Sequence, residues 1–179
     1  TANSTGLYNT AVGYGAAVSL ASAYNCSAFG YYALAQTISG NDNSAFGEYA
    51  LYWNTVGVGN TGVGLSALFS AKAGNYGTAI GYCSQYYAND TVTPWTNSNV
   101  SIGYNSLRGS TTAANNTGNR NVAVGYRTLE TCSTGNNTVA IGYLAGVSVT
   151  AAHSNVFIGS NSGFLHSNGA QNVAIGNSS

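Results

Sequence analysis

Apolar and polar positions alternate in short bursts along this chain, and every burst closes on a glycine. Ten bursts end at Gly13, Gly30, Gly47, Gly64, Gly81, Gly103, Gly125, Gly142, Gly159 and Gly176, spaced 17 residues apart except for two successive gaps of 22. Counted from that glycine, position −1 is Val12, Phe29, Phe46, Val63, Ile80, Ile102, Val124, Ile141, Ile158 and Ile175. Position −3 is Thr10, Ser27, Ser44, Thr61 and Thr78, then Val100, Val122, Val139, Val156 and Val173. Position −2 is small in every copy except at Phe157. β-Branched and aromatic residues suit a pleated, half-buried surface, and alternate residues of a strand point to opposite faces. Each copy therefore predicts one short strand with a bulky stripe on one face and a smooth stripe on the other.

A fixed period in this range marks units that cannot bury an apolar face alone and must stack. The expected fold is all-β: one parallel β-solenoid domain over 1–179, of about ten turns with a 17-residue period and two 22-residue turns. The bulky stripe at −1 is expected to fill the core and the −2 stripe to let another backbone approach; the reverse facing is the alternative. Asparagine recurs at −4 (Asn9, Asn43, Asn60, Asn99, Asn121, Asn155, Asn172) and glycine at −7. Both tolerate the backbone of tight turns, so these positions read as corners. After the glycine comes a second motif, as in Tyr31-Tyr32-Ala33-Leu34 and Tyr126-Arg127-Thr128-Leu129. The two long turns place inserted loops at about 85–98 and 108–119, and loops on one side of a solenoid are often its contacting side.

Composition narrows the functional classes. Charged residues are 4% of the chain, with four basic and four acidic side chains and zero formal net charge. Nothing here would draw nucleic acid electrostatically. No apolar run approaches the roughly 20 residues of a membrane-spanning helix. Weak charge repulsion favours self-association. The chain contains no methionine and reads as a processed product or an excised segment. Neither end carries a polar cap, so end-to-end stacking is expected beside lateral packing. His153 and His166 sit in different columns, and the four acids do not converge, so no metal, cofactor or catalytic site is expected. Arg127 and Glu130 are close enough to pair. Cys26, Cys83 and Cys132 fall about 14 Å apart along the rod, too far for a bridge; free buried thiols are expected, with bridges between chains the alternative. Asn89 and Asn115 lie in the inserted loops and are the candidate glycosylation sites.

The copies NTVAIG (Asn137–Gly142), SNVSIG, RNVAVG, SNVFIG and QNVAIG resemble the NSVAIG-type head repeats of trimeric autotransporter adhesins. Early copies such as YNTAVGYGAA resemble the NTAVGYxAL repeats of phage tail-fibre-like surface proteins. That resemblance covers nearly the whole chain, although the 17-residue period is longer than that of the adhesin heads. It implies an extracellular location, or a cell or virion surface, and a trimer of side-by-side β-rolls. The leading functional expectation is a non-enzymatic structural fibre protein partnered by copies of itself, as trimer or filament. An adhesin or receptor-binding segment that meets surface glycans or a receptor is the alternative. An ice-binding protein is a third reading, weakened by the change from Thr/Ser to Val at −3.

Overall fold

The computed structural model describes residues 5–179. Ten three-residue strands form one parallel sheet: β1 (Thr10–Val12), β2 (Ser27–Phe29), β3 (Ser44–Phe46), β4 (Thr61–Val63), β6 (Thr78–Ile80), β8 (Val100–Ile102), β9 (Val122–Val124), β10 (Val139–Ile141), β11 (Val156–Ile158) and β12 (Val173–Ile175). Two further strands, β5 (Gly74–Asn75) and β7 (Trp95–Thr96), pair beside the first long turn. Every ladder of the ten-stranded sheet joins like columns of successive turns, as in Val12↔Phe29 and Val139↔Val156. Ile80 pairs with Ile102 across a 22-residue turn without loss of register. The chain is a parallel β-solenoid of about ten turns.

The glycine that closes each strand is fixed by two constraints. Its φ lies between +121° and +141° in all ten turns, beyond the left-handed well that L-residues reach. A Cβ on Gly103 would also lie 2.2 Å from the carbonyl oxygen of Gly125, one turn on. Three further columns, −5, +2 and +4, are left-handed in turn after turn, and most of them are not glycine. Arg120 (φ +56°), Arg127 (φ +52°) and Leu129 (φ +49°) are one turn's set. After the glycine the chain makes successive i→i+3 turns, as in Ala33 N–H to Gly30 O and Thr37 N–H to Leu34 O. In the first of these the third residue, Tyr32, has φ +53°, the type II signature. Backbone groups in these segments also bond adjacent turns, as Leu34 N–H does to Ala50 O and Tyr32 N–H to Tyr14 O. Stacking thus continues around the coil.

The facing of the strands corrects the expectation for −1. Ala28, Ala45, Ala79, Ala123 and Ala140 at −2 are fully buried, whereas Val12, Phe46, Ile80, Ile102, Ile141, Ile158 and Ile175 at −1 are exposed. Phe29, Val63 and Val124 are only half-buried. The bulky stripe faces out. The coil is too narrow for two bulky walls, because its opposite wall already supplies Leu34, Leu51, Leu68, Leu107 and Leu129 at +4, all buried. Small residues opposite those leucines complete close packing. Phe157 proves the rule: it is fully buried at −2 because +4 is glycine in its own and the preceding turn. A Cβ on Gly146 or Gly163 would lie 3.1 or 2.4 Å from its ring.

At the long turns the interior becomes polar. Gln85 Nε2 donates to Thr78 O (2.9 Å) and Ser101 Oγ (3.0 Å), Asn97 Nδ2 to Gln85 Oε1 (2.9 Å), and Asn99 Nδ2 to Asn97 Oδ1 (2.6 Å). This layer separates an apolar cluster running from Ala16 to Ala88 from one running from Leu107 to Phe157. A satisfied buried network specifies its partners more narrowly than apolar contact does, so it pins the register where turn length changes.

Candidate functional site

The outward columns −3, −1 and +1 form a flat face along the sheet. In the five later turns −3 is valine and −1 is isoleucine or valine, while the earlier turns carry Thr or Ser at −3. At +1, Tyr82, Tyr104, Tyr126 and Tyr143 stack in one column at 5.1, 5.1 and 5.3 Å, within 9° of parallel. Phe29 and Phe46 stack likewise at 5.0 Å. Stacked rings turn their faces to one another and their edges to solvent, so the column offers little ring face to a sugar or base. Among the earlier tyrosines, burial and then Tyr49 raise the Tyr31 hydroxyl, and the Tyr14 phenol chiefly raises that of Tyr32. Glu48 is the single charged residue in the three columns. The span from −3 to +1 across ten strands is about 48 Å by 13 Å, or about 600 Å², apolar at its densest in the later turns where −3 is valine.

The −4 asparagines do more than turn corners. Their side chains point inward and bridge successive turns. Asn43 Nδ2 donates to Gly57 O (2.7 Å) while its Oδ1 accepts Asn60 N–H (2.9 Å). Asn60 repeats this with Gly74 O and Gly77 N–H, and Asn121 with Gly135 O and Thr138 N–H. Asn9, Asn99 and Asn155 make the same pair of bonds. Asn172 donates back to Asn155 Oδ1 (3.0 Å). Where Cys26 occupies the column, its thiol donates to Gly40 O (3.2 Å) in place of the amide. A second ladder at −6, absent from the sequence reading, caps the preceding turn: Asn41, Asn75 and Asn136 accept from Tyr24, Val58 and Asn119 N–H. His153 continues it, its Nδ1 accepting Asn136 N–H (3.1 Å).

The remaining candidates divide. Asn89 is buried and its Oδ1 accepts Thr91 N–H (2.8 Å). Asn115 is exposed at the end of a 3-10 turn, Ala113–Asn115. All three cysteines are free and buried; burial pushes the Cys132 thiol up to about 11 and also raises Cys26 and Cys83. Arg127 and Glu130 do pair, Nε to Oε2 at 2.6 Å. Among the described residues no three His, Cys, Asp or Glu side chains come together as metal ligands, and no helix is long and apolar enough to cross a membrane. No protein-family model matches the chain, and comparison with curated proteins and with solved structures returns no match.

Proposed function

We propose that this protein is a non-enzymatic structural fibre protein that works outside the cell and assembles side by side with copies of itself through the outer sheet face. The observation that carries the reading is that face: a surface of β-branched and aromatic side chains, interrupted by Thr and Ser at −3 in the earlier turns and by one charge at Glu48, in a molecule whose core is filled by other columns. About 600 Å² per chain approaches the roughly 800 Å² per partner of a stable interface. Net charge is zero, so long-range repulsion does not oppose close approach of identical chains. A second copy is the occupant that matches best, because its own face repeats the same strand spacing and meets like with like. The NSVAIG-type repeats support the same lateral arrangement.

Sedimentation of the purified chain over a wide concentration range tests this. The wild type should form assemblies of two or more chains. The Ile102→Lys, Ile141→Lys double variant should sediment as a single chain, with at least about 100-fold weaker association for two desolvated ammonium groups. Its circular dichroism should be unchanged, since both side chains already face solvent. Single-chain wild type at every concentration, or undiminished assembly of the variant, contradicts the reading.

A further inference from the structure

The second long turn forms one wall of an open groove of about 500 Å³, lined by Arg108, Ser110, Thr111, Arg127, Glu130 and Thr131. The whole chain has four basic and four acidic side chains, and three of them meet here. The groove occupies columns +5 to +8 and the inserted loop, with Arg127 reaching in from +2, next to the −3 to +1 face. Arg108, at +5, lies off that face, so its substitution tests the groove apart from lateral assembly.

Its walls are held from within. Asn116 is buried and staples the loop: Nδ2 donates to Ser110 O (2.8 Å) and to Tyr87 O, and Oδ1 accepts Ser110 N–H (2.9 Å). Glu130, its side chain 10% exposed, accepts from Arg127 Nε and from Asn105 Nδ2 (3.4 Å). Gly109 N–H ties the loop base to Glu130 O (2.9 Å). Arg108 differs from Arg127. Its guanidinium lies over the Tyr87 ring, 5.0 Å from the centroid, and no carboxylate of the described residues lies within salt-bridge distance. Stacking on a ring pre-orients the planar fork, whose geometry matches a carboxylate in bidentate fashion.

We propose that this groove binds a carboxylate-bearing saccharide. Arg108 takes the carboxylate. The Arg127–Glu130 pair supplies a donor and an acceptor side by side, the arrangement that vicinal sugar hydroxyls satisfy, and Ser110, Thr111 and Thr131 add hydroxyls along the walls. The local charge of two arginines and one glutamate fits a monoanion. A phosphate dianion would set its second charge against Glu130, and a peptide would find no apolar pocket for an anchoring side chain.

The test is ligand-observed NMR titration of the full chain with sialyllactose, lactose and inorganic phosphate. Sialyllactose should bind, with lactose and phosphate at least about tenfold weaker, the value of one charge-assisted bidentate contact. Arg108→Gln should lower sialyllactose affinity about tenfold or more, while Arg120→Gln, outside the groove, should leave it unchanged. The proposal is overturned by no sialyllactose binding at about 10 mM, by lactose or phosphate binding as tightly, or by Arg108→Gln binding like the wild type with unchanged circular dichroism.

Discussion

Replacing Gly103 by alanine is expected to destabilise the protein by about 2–6 kcal/mol. Two independent penalties add. A φ of +133° is strained for any L-residue, worth about 1–3 kcal/mol. The new Cβ would also be driven to 2.2 Å from Gly125 O, and overpacking against backbone costs about 1–3 kcal/mol more. In a chain of this length the loss should lower the thermal midpoint by roughly 10 °C. Arg120→Gly makes the contrast. Its φ is also positive, at +56°, but the side chain is exposed. Relief of about 1–2 kcal/mol of left-handed strain outweighs the extra backbone entropy of about 0.5–1 kcal/mol, so that variant should be neutral to slightly more stable. Thermal unfolding followed by circular dichroism checks both. A Gly103→Ala midpoint within a few degrees of wild type would mean that the glycines of successive turns do not stack.

Asn121→Ala is expected to cost about 2–5 kcal/mol. Asn121 is buried, and its loss strands the N–H of Thr138 and leaves the carbonyl of Gly135 with only the long Cys132 thiol contact (3.9 Å); an unpaired group costs about 1–3 kcal/mol. Asn119→Ala, two residues away and with no side-chain bond across turns, should change stability by less than about 0.5 kcal/mol. Asn121→Asp refines the assignment. One carboxylate oxygen can still accept Thr138 N–H, but the other faces the Gly135 carbonyl and becomes tolerable only when protonated. The folded state then binds a proton more tightly than the unfolded chain, whose carboxyl titrates near about 4. That variant should therefore regain stability below about pH 4 and lose it as pH rises through the higher folded value. Denaturant unfolding at acidic and neutral pH measures the difference; no pH dependence beyond that of wild type would place the side chain outside the ladder.

The register was fully legible because glycine spacing carries it, even through the 22-residue turns that set Ile80 on Ile102. The facing of −1 was not, because a three-residue strand offers two alternating stripes and bulk alone does not say which is inside. The deciding signal lay in the other half of the repeat. Leucine at +4 already claims the interior, and Phe157 answers Gly146 and Gly163. The −4 asparagines were readable as a column but not as bridges, since bonds across turns have no local signature. Left-handed backbone at −5 was hidden because Tyr76, Asp42, Ser98 and Arg120 share no chemistry there; stacking imposes the conformation on whatever residue is present. The groove at Arg108 escaped notice because it joins an inserted loop to residues of two neighbouring turns.

Thiol labelling of Ser101→Cys and Ile102→Cys variants tests most directly that the small stripe is inside and the bulky stripe meets a second copy. The wild type, with its three buried thiols, sets the baseline. Ile102→Cys should label rapidly in dilute solution and become protected as concentration drives assembly, whereas Ser101→Cys should stay unlabelled until the chain unfolds. Rapid labelling of Ser101→Cys in the folded protein, or labelling of Ile102→Cys that never changes with concentration, would contradict the account.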